Sequence, residues 1–498
     1  MTARTGSGHM RSSFALALAL VLTGCLGAQP EATADWFEPT RAAAAIGEPI
    51  VQTHDHTIAA DHVASRGLRL VTWEPLIPDE LGDEGFAGLR IVDDIAYLAT
   101  DGAHAGFLMI DVSDPTSPRL LSQYKTPGGA SQEAVPTSDG DYVFLNLQRV
   151  PAATAVAADP TRGDGAGIQI IDVRDKSAPK FESFFPVEVQ GTHVMFYYEQ
   201  NGTPYLVFNG QPTRQGLPTG DVYTPPPGNV VRIAEFVATP TGMHTLQIVG
   251  EFRLPESLTA RVEQGCFPHD QWVEEHPLTG RLVLYVAYWD CGAVTVDITD
   301  PRLPVLLDVE SELAPSTRNR IHYFRPDPTL RPAPFADVDT RVVAYSGPEI
   351  DLSPGEPGYL RTYDVTDPTA IEQIGSWRLP GEVENDKPYL FTPHNFDFHG
   401  DLLALAHYHA GIWVLNISDP EQPRHVAFYQ PHGDEFEPFS GDVWRKTPNF
   451  PEAYFPNVYE AKWHTTATND TYLLVSERGS GLYVLELDGS WSREGPSN

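Results

Sequence analysis

The sequence predicts an all-β fold, a seven-bladed β-propeller made of four-stranded antiparallel blades. Three observations predict it: a phrase that recurs seven times, short apolar stretches separated by turn residues, and 41 Gly and 45 Pro among 498 residues. Apolar alternation interrupted by Gly, Asp and Pro every ~8–12 residues is typical of antiparallel β-structure. The apolar fraction of 41% and the lack of a Gly-x-y period exclude collagen and a disordered chain.

The N-terminus predicts an export signal. Arg4 and Arg11 precede an apolar run, 14–22, that is too short to cross a bilayer as a permanent helix. Cys25 directly follows Leu-Thr-Gly, which resembles the bacterial lipobox, whose cysteine is lipidated. We therefore expect a lipoprotein signal peptide at 1–24 and a lipid anchor on Cys25, in the outer membrane or at the cell surface. The alternative is an ordinary signal with an incidental cysteine.

The segment after the signal, 25–66, predicts a tether because it has no sustained apolar alternation. It contains His54, His56 and His62, which we interpret as solvated linker residues rather than as a metal site. The propeller is expected at 67–490, followed by a short C-terminal tail at 491–498.

The charge balance excludes nucleic acid as the default partner. Lys and Arg number 33 against 67 Asp and Glu, a formal charge of −34. Such a surface repels phosphate backbones and anionic lipid. We expect contact with the membrane through the lipid anchor only.

The recurring phrase has the pattern apolar-Asp-apolar-x-Asp-Pro. Five copies lie at 110–115, 171–175, 296–301, 363–368 and 415–420, of which 171–175 lacks the Pro and 415–420 has Asn416 in place of the first Asp. Two degenerate copies lie at 233–236 and 485–488. Their mean spacing of about 62 residues suits a four-stranded blade with long loops.

The sixth unit illustrates the pattern within a blade. Its predicted strands are 395–398, 402–406, 412–417 and 425–429, and an Asp-Pro turn precedes the last of them. In that turn the Asp side chain accepts from a backbone amide two residues on, and Pro fixes φ at the next position. We interpret the Asp-Pro turn as structural rather than as a calcium site.

The last unit supplies only three strands after Trp463. The segment 67–73 resembles the outer strand of other blades, such as 425–429. We therefore expect this N-terminal strand to complete the last blade and close the ring, which shields the strand edges.

The recurring phrase also resembles the LVIVD-repeat family of secreted bacterial and archaeal β-propellers. The resemblance covers about residues 68–488 and implies the propeller fold. It implies no particular activity, because the family has no single shared one.

Long loops are expected on one face of the ring, here called the decorated face. They are 149–165, 211–228, 346–358, 381–392 and 433–462. Binding sites usually lie where a rigid scaffold carries long loops.

Histidines recur at the same position of successive blades, on the decorated face. Five consecutive blades are predicted to begin their innermost strand with His193, His269, His322, His394 and His464. Since inner strands line the axis, these imidazoles are expected to converge on one ion, and imidazole suits Cu, Zn and Fe. The cofactor prediction is one transition metal, with Glu133, Asp270 or Asp290 as an extra ligand or as a partner that fixes an imidazole. The alternative is that each His only caps its strand.

Further candidate residues are expected near the histidines, at the same end of the central axis. His407, His409, Trp289, Glu477 and Arg478 fall in loops between second and third strands and are candidates for binding or acid–base work. The alternative is that they are solvated loop residues.

The two remaining cysteines, Cys266 and Cys291, are expected to pair in an oxidising compartment, although two buried free thiols are the alternative.

Three functions follow as hypotheses. The first is an envelope protein that binds a metal, a small molecule or a protein on the decorated face. The second is a metal-dependent oxidoreductase; its axial histidines are similar in geometry to those of carotenoid cleavage oxygenases, nitrous oxide reductase and the selenium-binding protein family. The third is an adhesin-like scaffold without a ligand. The sequence contains no P-loop, dinucleotide fingerprint, HExxH or serine nucleophile motif, so classical hydrolase and nucleotide chemistry have no support.

Overall fold

The computed structural model describes most of the region after residue 64. The described residues are 65–74, 76, 85–101, 105–126, 131–148, 165–187, 191–210, 213–217, 220–224, 230–259, 265–310, 320–333, 339–349, 358–380, 392–431 and 456–488. The predicted signal peptide, Cys25, nearly all of the 25–66 tether and the 491–498 tail lie outside this set.

Seven antiparallel blades of four strands each confirm the predicted propeller, and the sheet of blade 6 carries an additional fifth strand. From innermost to outermost, blade 1 contains the strands Phe86–Val92, Ile95–Thr100, Gly106–Asp111 and Arg119–Lys125, and blade 2 contains Ala134–Pro136, Tyr142–Leu147, Gly167–Asp172 and Lys180–Pro186. In the same order, blade 3 contains Thr192–Gln200, Thr203–Gly210, Val231–Ala238 and His244–Phe252, and blade 4 contains Asp270–Glu275, Leu282–Tyr288, Gly292–Asp297 and Val305–Glu310. Blade 5 contains Ile321–Pro326, Val343–Pro348, Tyr359–Asp364 and Glu372–Arg378, and blade 6 contains Phe396–His399, Leu402–Ala406, Ile412–Asn416 and Arg424–Tyr429. Blade 7 contains Val458–Thr465, Thr471–Glu477, Gly481–Leu487 and, as its outermost strand, Leu68–Glu74.

The core lies between neighbouring blades. Second strands such as Tyr142–Leu147 are buried along their whole length, because both of their faces are covered, whereas the outer strand Arg119–Lys125 is exposed or half-buried. Between blades 5 and 6, Trp377 packs against Trp413 with ring centroids 5.6 Å apart. Large aromatic rings of this kind supply much of the apolar area that holds a fold together.

The Asp-Pro turns use the hydrogen bonds that their sequence predicts. In blade 1, Oδ1 of Asp114 accepts from the amide of Thr116 at 3.1 Å, and in blade 4, Oδ1 of Asp300 accepts from the amide of Arg302 at 3.0 Å. In blade 6, Oδ1 of Asp419 accepts from the amide of Glu421 at 3.1 Å. The side-chain oxygen thus fixes the turn between the third and fourth strands.

The N-terminal strand closes the ring, as the sequence predicts. Leu68–Glu74 pairs antiparallel with Gly481–Leu487, and Arg69 forms an ion pair with Glu486. Just before it, Ser65–Arg66 adds a fifth strand to the outer edge of blade 6, which the sequence did not predict. The segment 65–74 is therefore paired with strands of both of the last two blades.

Two hairpins and a short helix decorate the blades. Thr213–Leu217 pairs with Gly220–Thr224 after the second strand of blade 3, and Arg331–Pro332 pairs with Thr340–Arg341 in blade 5. The helix is Glu256–Thr259. Among the residues that the structure describes, no helix has the length and apolar character required to cross a membrane.

Candidate metal centre at the axial mouth

Four of the five predicted histidines meet at the axis. They form what we call the imidazole layer: His193, His269, His322 and His394, each at most 9% exposed. The ring centroids of His193 and His269 lie 4.5 Å apart, those of His269 and His322 4.5 Å, and those of His322 and His394 3.9 Å. Nε2 of His193 lies 3.0 Å from Nε2 of His269. Residues far apart in sequence therefore share one buried space.

His464 does not join this layer, and its predicted place is corrected. Blade 7 contributes Tyr459 instead, whose ring lies 3.9 Å from that of His394. His464 lies five positions later, near the end of the inner strand Val458–Thr465, where Nε2 is 3.4 Å from Oδ1 of Asp94 in a turn of blade 1. The strand begins earlier than expected, so the histidine is carried toward the opposite face.

The protein fixes the tautomers of two imidazoles. Nδ1 of His394 donates to the carbonyl of Tyr459 at 2.6 Å, and Nδ1 of His193 donates to Oε1 of Gln148 at 2.8 Å. In a neutral imidazole, a proton on Nδ1 leaves a lone pair on Nε2. Metal-bound histidines are commonly oriented by such a hydrogen bond from the other ring nitrogen.

Burial keeps three imidazoles of the layer neutral. Burial lowers the pKa of His269 to about 3, helped by His322 and partly offset by Glu349. Burial also lowers the pKa of His322 to about 3 and that of His394 well below its ordinary value. Near neutral pH these rings therefore carry lone pairs rather than positive charges.

A carboxylate that the sequence analysis did not single out completes the cluster. Glu349 follows the second strand of blade 5, and its Oε2 lies 3.7 Å from Nε2 of His269 and 3.8 Å from Nε2 of His322. The three ligand atoms of this group all lie within 4.8 Å of one another. The only sequence signal for Glu349 was its position in the long 346–358 loop of the decorated face.

Tyr408 holds that carboxylate from the other side. Its hydroxyl donates to Oε1 of Glu349 at 2.6 Å. Tyr408 has φ of 39°, in the left-handed region that a tyrosine rarely adopts, and its backbone forms two 3.1 Å hydrogen bonds with Val458. Backbone in that region costs about 1–3 kcal/mol and is often found at functional sites.

Blade 4 walls the site. The indole of Trp289 stacks on His269 with centroids 4.5 Å apart. Cys266 and Cys291 form the predicted disulfide, with Cα atoms 5.2 Å apart, and so link the segments that carry His269 and Trp289. Asp290 lies in the same loop, and its Oδ1 accepts from the amide of Arg320 at 3.3 Å. Asp290 thereby stabilises the backbone that precedes His322.

The other loop candidates are buried parts of the framework. His407 and His409 are fully buried, so the interpretation as solvated residues is wrong for both. Glu477 Oε2 accepts from the amide of Gly479 at 2.9 Å and its Oε1 from the amide of Asn457 at 2.6 Å, which ties down its own loop. The guanidinium of Arg478 bonds to Asp101 at 3.0 Å and lies over the ring of Tyr459 at 5.0 Å.

A second group of side chains follows along the axis, which we call the charged layer: Arg90, Glu133, Glu460 and Lys462. Arg90 bonds to Oε2 of Glu133 at 2.8 Å and to Oε2 of Glu460 at 3.0 Å, and Lys462 bonds to Oε1 of Glu460 at 2.7 Å. Blade 1 leaves room for Glu133, because a Cβ on Gly88 would lie 2.9 Å from its Oε1.

The carboxyl groups of this region titrate differently. Burial raises the pKa of Glu133 to about 7, partly offset by Arg90. Burial acts the same way on Glu460, but Lys462 and Arg90 outweigh it and lower the pKa of Glu460 to about 2. Burial, with the charge of Glu133, raises the pKa of Asp270 well above its ordinary value. A cavity between the layers is lined by members of both, including His322, His394 and Glu133.

Two segments of the propeller match a known repeat family. The profile of the LVIVD repeat family matches residues 87–126 and 284–308, which cover most of blade 1 and most of the second to fourth strands of blade 4. No curated protein matches the sequence significantly.

Solved structures similar to the LVIVD-repeat propeller share low identity with it. Saccharomyces cerevisiae Sqt1 is 9% identical, with 82% of this chain and 96% of that one covered and a TM-score of 0.44. Pseudomonas aeruginosa periplasmic gluconolactonase, PpgL, is 12% identical over 67% and 82%, with a TM-score of 0.44. The C-terminal WD40 domain of Sif2 is 8% identical over 85% and 99%, with a TM-score of 0.45. We draw no functional conclusion from them.

Proposed function

We propose that the LVIVD-repeat propeller binds one transition-metal ion at the axial mouth, with His269, His322 and Glu349 as ligands. The observation that carries the proposal is the placement of one ring nitrogen from each of two histidines and one carboxylate oxygen within 4.8 Å of one another in a largely buried site. Neutral imidazoles need no proton loss before they bind a cation. His193 and His394 are further candidate ligands, because their Nδ1 hydrogen bonds leave Nε2 free of its proton.

The spacing fits a metal without a large rearrangement. Two ligand atoms about 2.1 Å from one ion are about 3.4–3.7 Å apart at angles between tetrahedral and trigonal. The separations of Oε2 of Glu349 from the two Nε2 atoms are 3.7 and 3.8 Å. Two imidazoles with one carboxylate suit Zn, Fe or Cu rather than Ca or Mg.

Of the three hypotheses, binding of a metal has the most direct support. The metal-dependent oxidoreductase is a second candidate, because the cavity beside His322 has room for a water molecule next to the ion. The ligand-free scaffold predicts that no metal is retained. We further propose that the protein is exported and lipid-anchored through Cys25, with its partners at the decorated face, on the sequence evidence given above.

Metal analysis tests the proposal. We expect the full chain carrying Cys25→Ala, purified without metal resin, to retain about one equivalent of Zn, Fe or Cu, measured by plasma mass spectrometry. Glu349→Gln and His322→Leu should each lose it. His464→Gln is the matched control and should keep it, because that ring lies near Asp94 instead. A wild-type chain that neither retains nor takes up any of the three metals would refute the proposal.

A further inference from the structure

We infer that Tyr408 is a positioning residue that restricts Glu349 to metal binding through a single oxygen, an inference that rests on the proposed function. The two oxygens of Glu349 face different partners. Oε1 accepts the hydroxyl of Tyr408 at 2.6 Å, while Oε2 faces the Nε2 atoms of His269 and His322. An oxygen already engaged in so short a hydrogen bond is a poorer second ligand, so the carboxylate is expected to bind through Oε2 alone.

The position of Tyr408 is built into the fold. The residue is 4% exposed, its ring packs edge-on against His394 with centroids 5.0 Å apart, and its backbone is paired with Val458 of blade 7. Its left-handed backbone is stabilised by these contacts rather than by the residue type. The loop of blade 6 therefore places a hydroxyl beside a carboxylate from blade 5 at a fixed distance.

Single-oxygen binding has a chemical consequence. A carboxylate that binds through both oxygens occupies two coordination positions, whereas one that binds through Oε2 occupies one. The position that Tyr408 keeps vacant is available to water, and His322 also borders a water-sized cavity. A catalytic metal differs from a structural one by such an open position.

Substitution of the hydroxyl tests this role. Tyr408→Phe keeps the ring and removes the donor, so we expect a 10–100-fold weaker affinity for Co²⁺, the usual range for loss of a partner behind a ligand. We also expect weaker visible absorption by bound Co²⁺, because Glu349 can then supply both oxygens and raise the coordination number. Tyr345→Phe is the matched control, since the buried hydroxyl of Tyr345 has no hydrogen-bond partner among the described residues.

A measurement on the wild-type protein adds an independent check. In an infrared difference spectrum with and without Zn²⁺, a carboxylate bound through one oxygen shows widely separated asymmetric and symmetric stretches. A narrow separation would overturn the inference even if Tyr408→Phe did not fold. Unchanged Co²⁺ affinity and absorption in a folded Tyr408→Phe protein would also overturn it and leave the proposed metal site standing. Failure of the wild-type protein to bind either ion would refute the metal site itself.

Discussion

The two layers along the axis solve the burial of polar groups in opposite ways. In the charged layer, Arg90 and Lys462 neutralise Glu460 at hydrogen-bond distance, and Arg90 also contacts Glu133. In the imidazole layer, burial removes the charge, and Nδ1 of His269 and of His322 has no hydrogen-bond partner among the described residues. The charged layer thus offsets its buried charges by pairing them, whereas three of the four imidazoles stay uncharged.

The largest expected effect comes from breaking the charged layer. Arg90→Met leaves two buried carboxylates without their shared cation, and the expected loss is about 3–5 kcal/mol of unfolding free energy. Urea unfolding monitored by tryptophan fluorescence measures it. The matched control is Arg119→Met, which breaks an exposed pair with Asp111 and should cost less than about 1 kcal/mol. Equal effects of the two substitutions would contradict the contrast between buried and exposed pairs.

The imidazole layer should tolerate loss of a member when metal is absent. His322→Leu replaces a buried ring, one of whose nitrogens lacks a hydrogen-bond partner, with an apolar side chain. In the presence of chelator we expect its unfolding free energy to stay within about 1 kcal/mol of the wild type. Metal added to about 100 times its dissociation constant should stabilise the wild type by about 2.7 kcal/mol and leave the variant unchanged. A chelated variant destabilised as strongly as Arg90→Met would make this histidine structural.

The weakest effect should be a pH dependence of stability that comes from Glu133 in the charged layer. The pKa of Glu133 is raised from 4.5 to about 7, so its proton stabilises the folded state at acidic pH, and this contribution is lost as pH rises through about 7. Glu133→Gln should lack that loss. In metal-free protein we therefore expect the variant to gain on the order of 1 kcal/mol relative to wild type between about pH 5 and about pH 7. A pH-independent difference would show that Glu133 is ionised throughout.

The sequence predicted the fold well because the fold is periodic. The Asp-Pro phrase set the number of blades, and the one strand lacking at the end matched a spare strand at 67–73, so ring closure followed. Within blade 6 the predicted strands agree with the observed ones to about one residue. The disulfide was predicted because two cysteines remained once Cys25 was assigned to the predicted lipid anchor.

The site was predicted only where its residues follow the repeat. His193, His269, His322 and His394 share a blade position and could be grouped by phase. The prediction for His464 was wrong because the residues around it resemble those around the other four histidines, whereas the inner strand of blade 7 begins earlier relative to the histidine. Glu349 and Tyr408 lie in loops, and the backbone of Tyr408 is left-handed; neither blade periodicity nor residue type predicts such a conformation.

Ring closure has a consequence for how the chain matures. The closing ion pair joins Arg69 and Glu486, which are 417 positions apart. The last blade therefore cannot be completed until the C-terminal strand has been synthesised, and contacts of such long sequence separation form slowly. Until then Leu68–Glu74 lacks its partner strand and can pair with Gly481–Leu487 of another copy. Loss of either end of the propeller thus turns a self-contained ring into a template for strand exchange.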